Sequence, residues 1–389
     1  MKTVFFGPFV GEFGWEMLYW HAWVNKVSNG KFKNYKKIVA SFSGRESFYP
    51  NADEYWAHPE EFNNYFKSSN GYITDFWING FPRGNESIQK NLLGILKYES
   101  WKYFESTKNQ VDVKLKAEEL LNLYKKKLPN DAEYFIPFSR NSFDGKDFGI
   151  FGDQNPKNDI SIRQIPIPFK DQLFSILEPP KKTFLILKDY IDLELPLIAI
   201  YPRNRINRRP DKNWNKINYI ELINNLKKEC PDYQIGIFGS PGEAFFDDKC
   251  PEGCIDLINI PNNQRMNIQV AALKQAKLAI GSLSGAMVVA RSCNVPVLTW
   301  GLSRDGTRFH DENQLDIETI FHPNQNPTFE EILKLSLAII NKEINYKVPY
   351  KEWCSLSFLN NRNGNKILFR YKLKGFFEKI GYASNKIFN

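Results

Sequence analysis

The chain has 389 residues, which is long enough for two domains of ordinary size. Hydrophobic residues make up 42% of it and charged residues 25%, as in globular rather than disordered proteins. The formal net charge is +8, but residues 362–389 hold seven basic residues and one acidic residue. Because the excess charge is concentrated in this tail, we expect no nucleic-acid partner for the body of the chain.

Targeting and redox signals are weak in this sequence. The start, MKTVFFGPFVGEFG, has one lysine and a very short apolar run before an acid, so we expect no signal peptide. No apolar run approaches the ~20 residues of a membrane span. Of the five cysteines, Cys250 and Cys254 form CPEGC, but no second pair of Cys or His lies at a matching spacing. We therefore expect reduced thiols, no metal site and a cytoplasmic protein.

The apolar runs and helical patterns predict two α/β domains in succession. Residues 50–115 have weak periodicity and predict little, whereas residues 130–177 predict loops or an interdomain stretch. We expect a domain boundary between about 180 and 195. The predicted strands are Lys2–Phe6, Lys37–Phe42, Leu195–Tyr201, Gln234–Phe238, Cys254–Ile260, Leu278–Ile280 and Val295–Trp300. The first predicted helix begins near Trp15. The other predicted helices are Val113–Lys127, Tyr219–Glu229, Asn267–Ala276 and Phe329–Lys342.

The most informative stretch is 278–300, LAIGSLSGAMVVARSCNVPVLTW. It predicts a strand, a Gly/Ser turn, a helix of small residues and a second strand, which together form half of a parallel sheet. The N–H groups at the start of the helix are free to face an anion, and the hydroxyls of Ser282 and Ser284 add donors. Gly285 lets a phosphate approach closely. The turn therefore predicts a phosphate site in the second domain.

A basic loop, YPRNRINRRPDKNW, follows the first strand of the second domain. Ligands bind outside the carboxyl ends of the strands in open α/β sheets, so this loop and the Gly/Ser turn open toward the same edge. Arg203 and Arg205 offer planar forks for phosphate oxygens. A solvated basic loop is the alternative, and we favour a phosphate clamp because the same domain holds an independent anion turn.

Two further places in the second domain hold candidate side chains. Gly239, Ser240 and Glu243 follow the strand QIGIF. They either shape a base or ribose pocket, with Glu243 accepting sugar hydroxyls, or form an ordinary turn. His310 follows the last predicted strand and is a candidate contact to the same ligand.

The first-domain loop GEFGWE contains two candidate acids. Deprotonating an acceptor hydroxyl needs a carboxylate or a histidine with a tuned pKa. Glu12 is the better candidate because it lies in the loop, where a plain turn residue is the alternative. Glu16 is the second candidate, although it falls within the predicted helix and could simply complement the helix dipole.

The C-terminal tail predicts a basic amphipathic helix. An apolar stripe at helical spacing is flanked by basic side chains, as in helices that lie on an anionic membrane surface. We expect residues 362–389 either to bind such a surface or to pack across the domains with their lysines solvated. The stripe comprises Phe369, Leu373, Phe376, Phe377 and Ile380, and the basic residues are Arg370, Lys372, Lys374 and Lys379.

The chain resembles GT-B glycosyltransferases of the heptosyltransferase-like group and, more loosely, fucosyltransferase-type members. The resemblance is carried by GPFVGEFGWE, IAIYPRNR and LAIGSLSGAMVVARSCNVPVLTWG. It implies two Rossmann-like domains facing across a cleft, with the nucleotide sugar held by the C-terminal one. It also implies inverting chemistry, no required metal or cofactor, and a loop carboxylate as the base, which falls on Glu12. Ser282, Ser284 and Gly285 match the phosphate turn of that group.

Together these observations predict a glycosyltransferase of polysaccharide or lipopolysaccharide biosynthesis. We expect it to move a hexosyl- or pentosyl-type sugar from a nucleotide sugar to a hydroxyl of a cell-surface glycan or glycolipid. The acceptor-side domain would span 1–185, the nucleotide-sugar domain 190–345, and a crossing segment with the basic tail 346–389. A nucleotide-sugar epimerase or hydrolase of the same fold and a noncatalytic sugar-nucleotide-binding scaffold remain alternatives. The lack of GxGxxG after the first strand argues against a redox Rossmann protein.

Overall fold

Two parallel β-sheets, one in each of two compact units, organise the computed structural model. The structure describes residues 1–11, 13–68, 107–137, 159–160, 172–205, 210–301, 315 and 317–343. Of these, the first unit contains the residues within 1–187 and 260–271, and the second unit contains those within 188–259 and 272–343. The α/β fold with two Rossmann-like parallel sheets is confirmed.

The first sheet has its earliest strand at the centre, in the order β3-β2-β1-β4-β5, with every neighbouring pair parallel. All four residues of β1 are buried, since a central parallel strand is covered on both faces and therefore needs a continuous apolar run. The strands are β1 (Thr3–Phe6), β2 (Lys36–Ser41), β3 (Glu54–Ala57), β4 (Glu133–Pro137) and β5 (Asp159–Ile160).

Helices follow the strands of the first unit, as in other α/β folds. The predicted helix near Trp15 begins at Phe13 and includes a π-helical segment, Glu16–Trp20, in its first half. The helices are α1 (Phe13–Trp15), α2 (His21–Asn29), α3 (Glu60–Ser68), α4 (Thr107–Lys125) and α5 (Lys181–Leu187), with a 3-10 turn at Glu46–Phe48.

The second sheet has the order β11-β10-β9-β6-β7-β8, again with all pairs parallel. Counted from β6 as the first strand, this is the 3-2-1-4-5-6 order of dinucleotide-binding folds, read from the opposite edge. Its strands are β6 (Leu197–Tyr201), β7 (Gln234–Ile237), β8 (Ile255–Asp256), β9 (Ala276–Ser282), β10 (Val297–Trp300) and β11 (Thr319–His322).

Four helices are described after residue 212: three belong to the second unit, and one lies mostly within residues 260–271 of the first unit. Two of the four have clear N-terminal caps. The Asn215 side chain accepts from Ile217 N–H at 3.1 Å, and Thr328 forms a capping box with Glu331. The helices are α6 (Lys216–Glu229), α7 (Asn262–Leu273), α8 (Gly285–Ser292) and α9 (Phe329–Ile340), with a 3-10 turn at Pro210–Lys212. Within the described ranges, no helix has both the length and the apolar character needed to cross a membrane.

Two predicted elements differ from the structure for local reasons. The strand predicted at 254–260 shrinks to β8, because the Asp256 carboxylate accepts the N–H groups of Ile258 and Asn259 and turns the chain out of the sheet. The helix predicted from Asn267 begins five residues earlier, after Pro261, whose carbonyl accepts the first helical bonds. Asn267 is therefore inside α7 and does not cap it.

Candidate functional site

The central feature of the second sheet is the point where its strand order reverses, between β6 and β9. Tyr201 and Gly281 are register partners at the carboxyl ends of these neighbouring strands. A Cβ on Gly281 would lie 2.8 Å from the Tyr201 Cβ, so only glycine allows the strands to approach this closely. The chain continues on one side into the arginine loop and on the other into the Gly/Ser turn. These two predicted features are thus side by side at a crevice where such sheets bind ligands.

Arg203 lies at the start of the arginine loop and is only 9% exposed. Its segment pairs with the loop after β7: Arg203 forms an antiparallel bridge with Ala244, and Asn204 N–H donates to the Glu243 carbonyl at 2.8 Å. Burial, followed by the like charge of Arg205, lowers the pKa of Arg203 to about 10. The guanidinium therefore stays charged at neutral pH at an energetic cost that an anionic ligand would relieve.

Asn213 holds both arginines through one side-chain amide. Its Oδ1 accepts from Arg203 Nη1 and from the Arg205 backbone N–H at 3.1 Å, and its Nδ2 donates to the Arg205 carbonyl at 3.0 Å. The next residue, Trp214, is buried and donates from Nε1 to the Pro327 carbonyl at 2.8 Å. Nothing in the local sequence distinguishes Asn213 from the other asparagines nearby.

Glu243 contacts Arg205, at 3.0 Å between Oε1 and Nη2. Its carboxylate is 45% exposed, so it remains accessible to a ligand, although in this state its partner is an arginine and not a sugar. Gly239 and Ser240 precede it at the end of β7. Gly239 has φ +142°, and a Cβ there would approach the Ala244 Cβ to 2.9 Å, which explains why this turn needs glycine.

The Gly/Ser turn is shorter than the sequence indicates, because β9 extends through Ser282. Ser282 is 2% exposed and lies beside the Tyr219 hydroxyl, which donates to the Tyr201 carbonyl at 3.2 Å. Ser284 is the N-cap of α8 in extended conformation, but its hydroxyl does not bond to the helix. Ser284 and Gly285, the first residue of α8, are partly exposed and present the helix N-terminus. The accessible part of the turn is therefore Ser284–Gly285.

The loop after β1 in the first unit is held rigidly up to Gly11. Gly7 has φ +136°, and a Cβ there would lie 2.5 Å from the Ala40 carbonyl oxygen, which itself accepts from Phe9 N–H at 2.9 Å. His58 contacts the Phe9 carbonyl through Nε2 at 2.8 Å and the Tyr124 hydroxyl through Nδ1 at 2.9 Å. The residue that follows this loop segment, Glu12, lies outside the described residues.

Glu16 occupies a closed polar cluster in the first unit and is 0% exposed. Its Oε1 accepts from Ser41 Oγ at 2.5 Å and from the Tyr49 hydroxyl at 2.7 Å, and its Oε2 is paired with Arg45. The Arg45 guanidinium also stacks on Phe42, 4.4 Å from the ring centroid. With both oxygens occupied and no exposure, Glu16 is suited to holding Arg45 and the segment after β2 rather than to accepting a substrate proton.

Asn267 of α7 belongs with the first unit and contacts the same segment after β2. Its Oδ1 accepts from Ser47 Oγ at 2.6 Å, and its Nδ2 donates to Glu46 Oε2 at 2.6 Å. Gly44 packs closely there as well, since its Cβ would lie 2.9 Å from the Asn263 carbonyl oxygen. These contacts join residues more than 200 positions apart in the sequence and had no signal in it.

Other predicted features have no described geometry or no ligand set. His310 and the tail 362–389 lie outside the described residues. In the part of the chain that the structure covers, no three His, Cys, Asp or Glu side chains are grouped to hold a metal ion. Cys250 and Cys254 are free thiols, and burial raises the pKa of Cys250 to about 12.

Solved structures similar to this chain include two glycosyltransferases and a protein described as an epimerase. The E. coli ADP-heptose LPS heptosyltransferase II has 14% identity and a TM-score of 0.49, over 88% of this chain and 100% of that chain. A glycosyl transferase family 9 protein from Veillonella parvula has 12% identity and a TM-score of 0.49, over 91% and 95%. A UDP-N-acetylglucosamine 2-epimerase described as putative, from Listeria monocytogenes, has 12% identity and a TM-score of 0.33, over 89% and 90%.

These likenesses are structural only. No protein-family model matches the chain, and no curated protein sequence matches it. At identities below 15% and TM-scores below 0.5, the similar structures assign neither an activity nor residue roles to this protein. The function must be argued from its own residues.

Proposed function

We propose that this protein is a glycosyltransferase that transfers a sugar from a nucleotide sugar to a hydroxyl of a cell-surface glycan or glycolipid. The observation that carries the proposal is the register pair Tyr201–Gly281, which brings the arginine loop and the Gly/Ser turn to one crevice of the second sheet. Two independent anion-binding features at one strand-order reversal suit the diphosphate of a nucleotide sugar.

In this proposal the second unit binds the donor. Arg203 and Arg205 neutralise the diphosphate, and the N–H groups of Ser284 and Gly285 at the start of α8 bind its oxygens. Ser282, the last residue of β9, supports the turn. Gly239 and Ser240 line the neighbouring pocket for the base or ribose. Glu243 accepts sugar hydroxyls after exchanging Arg205 for the ligand, and His310 is a further donor contact.

The proposed chemistry is an inverting displacement without a metal. Glu12 takes the proton of the acceptor hydroxyl as the hydroxyl oxygen attacks the anomeric carbon. The bond from that carbon to the diphosphate oxygen breaks, and the nucleoside diphosphate leaves with the electron pair. Arg203 and Arg205 stabilise the charge that develops on the leaving group, in place of a divalent ion. We assign Glu16 no proton transfer, because its carboxylate is enclosed.

A thermal-shift panel of GDP-, UDP-, ADP- and CMP-sugars tests the donor part of the proposal. One class should stabilise the full-length protein by about 2.7 kcal/mol at a concentration 100 times its Kd. The shift should survive chelation of divalent ions and disappear when Arg203 and Arg205 are both changed to Ala. A panel with no stabilising nucleotide sugar would contradict the proposal.

Glu12→Gln tests the transfer step. The variant should keep the donor-induced shift and lose transfer to the acceptor, because the amide cannot accept the proton. Glu16→Gln is the matched comparison and should reduce stability rather than the chemical step. Full activity of the Glu12 variant would remove it from the mechanism. Complete donor conversion without any acceptor would favour the epimerase or hydrolase, and binding without turnover would favour the scaffold.

We also propose that the protein acts in the cytoplasm at the inner face of the membrane, with residues 362–389 on the anionic surface. The proposal is supported by the seven basic residues and the apolar stripe of the tail. Vesicles containing phosphatidylglycerol should co-sediment with the protein, whereas phosphatidylcholine vesicles should not. Changing Lys372, Lys374 and Lys379 to Glu should abolish the binding; unchanged binding would contradict this role of the tail.

A further inference from the structure

The geometry points to Asn213 as the residue that positions the two arginines of the anion site without cancelling their charge. This inference rests on the proposed diphosphate site and adds a residue to it. One amide reaches both arginines: the Arg203 guanidinium, and the N–H and carbonyl of Arg205. Because Asn213 acts through the two arginines, it is a positioning residue rather than a catalytic one.

The orientation of the Asn213 amide follows from its partners. A backbone N–H can only donate and a backbone carbonyl can only accept, so the Oδ1 must face Arg205 N–H and the Nδ2 must face the Arg205 carbonyl. The oxygen that accepts from Arg205 is then the one that accepts from Arg203 Nη1. The two arginines are therefore held by a single, uniquely oriented group.

Asn213 is itself fixed by rigid neighbours on both sides. Its backbone N–H donates to the Pro210 carbonyl at 2.9 Å in the 3-10 turn that precedes it. The following residue, Trp214, is 1% exposed and anchored to Pro327, and Asn215 caps α6. The amide therefore acts as a fixed support for the arginine loop.

The neutrality of this support matters for anion binding. An aspartate has the same shape, but it could not donate to the Arg205 carbonyl, and its charge would neutralise Arg203. Glu243 already offsets one of the two arginine charges at 3.0 Å. A carboxylate at position 213 would add a further negative charge beside the two arginines, whereas an amide adds none.

Titration of the full-length protein with inorganic pyrophosphate, in the presence of a chelator, tests the inference. Asn213→Ala should weaken pyrophosphate binding by roughly 10-fold, because both arginines lose the group that positions them. Asn213→Asp should weaken it further and flatten the salt dependence, although it preserves the shape. Asn225→Ala is the matched control, because Asn225 bonds only within α6, to the Glu221 carbonyl at 2.8 Å, among the contacts described.

The order of the two variants separates positioning from a merely structural role. If the Asp variant bound pyrophosphate at least as well as the Ala variant, neither the neutrality nor the donor of the Asn213 amide would matter for anion binding, and this outcome would overturn the inference. In an Arg203→Ala background the Asn213→Ala effect should be smaller than in the unchanged protein, because the part that acts through the Arg203 contact is already lost and only the part that acts through Arg205 remains. Full additivity would also overturn it.

The same titration separates this inference from the proposed function. If Arg203→Ala and Arg205→Ala bind pyrophosphate like the unchanged protein, the diphosphate site itself is wrong, and the role of Asn213 is wrong with it. If the arginine variants lose binding but both Asn213 variants retain it, only the positioning role fails. Thermal midpoints measured for every variant identify any loss of binding that comes from unfolding.

Discussion

The two units enclose a charged residue near the carboxyl edge of their sheets in opposite ways. In the first unit the Glu16 carboxylate is closed off by Arg45, Ser41 and Tyr49, so the cluster is neutral and has no exposed carboxylate. In the second unit the Arg203 guanidinium is held by a neutral amide and remains 9% exposed. The first arrangement satisfies its charge within the fold. The second suits the anion binding that we propose for the arginine loop.

The largest loss of stability should come from removing Glu16, which tests its structural role. Glu16→Ala leaves the Arg45 guanidinium without its carboxylate, and breaking a buried ion pair in this way costs about 3–5 kcal/mol. Urea unfolding measures the loss, and hydrogen exchange should localise it to peptides of the first unit. Glu61→Ala, which removes an exposed carboxylate of α3, is the control and should change the free energy of unfolding by less than about 0.5 kcal/mol. A loss below about 1 kcal/mol for Glu16→Ala would contradict the closed-cluster interpretation.

Acidification should weaken the first unit by a comparable amount. Burial lowers the pKa of His21 from 6.5 to about 4, so the unfolded chain binds a proton between these values while the folded chain does not. Stability therefore falls as the pH drops from about 6.5 to 4, by up to about 3 kcal/mol. His21→Leu should flatten this slope in first-unit peptides followed by hydrogen exchange. An unchanged slope would show that another group is responsible.

The close approach of β6 and β9 predicts a smaller effect with a functional readout. Gly281→Ala forces a methyl group against the Tyr201 Cβ at 2.8 Å and should cost about 1–3 kcal/mol. It should also weaken pyrophosphate binding, because Tyr201 precedes the arginine loop. Gly242→Ala is the matched control: its methyl would meet nothing within 4 Å, so only its φ of +76° carries a cost. Equal pyrophosphate binding by both variants would contradict the importance of this approach.

The smallest change in stability is expected for Glu243→Gln. The Arg205–Glu243 pair is partly exposed, and such pairs contribute less than about 1 kcal/mol. Removing the carboxylate should raise pyrophosphate affinity severalfold, since Arg205 no longer has an internal competitor. Glu229→Gln, at the exposed end of α6, is the control and should change neither quantity. Weaker pyrophosphate binding by Glu243→Gln would show that the carboxylate supports Arg205 instead of competing with the anion.

Much of the fold was predictable because its signals are local. Central parallel strands are covered on both faces, so β1, β6 and β10 appear in the sequence as short continuous apolar runs. The predicted strands differ from these mainly by one or two residues at the ends. The strand prediction for 254–260 was wrong because this segment is equally apolar. The Asp256 side chain turns it out of the sheet by accepting the N–H groups of Ile258 and Asn259.

The candidate site was predictable only in part. The carboxyl ends of parallel strands share one edge of a sheet. The sequence alone therefore assigns the arginine loop and the Gly/Ser turn to the same edge of the second sheet. The sequence could not show that Ser282 is buried in β9 or that Glu243 is paired with Arg205. Both depend on where the strands end and how adjacent loops pair, which local preferences leave undetermined.

The sequence alone predicts two α/β domains with parallel sheets, and it assigns the proposed anion site to the second of them. The reason is that burial of strands and the free N–H groups of a helix start depend on a few adjacent residues. Which charges are enclosed and which remain accessible depends on the tertiary structure. Glu16 is closed in by side chains 25 to 33 residues away, and Arg203 is held by an asparagine across a loop. Such partners are chosen by the packing of whole elements, which no short stretch of sequence records.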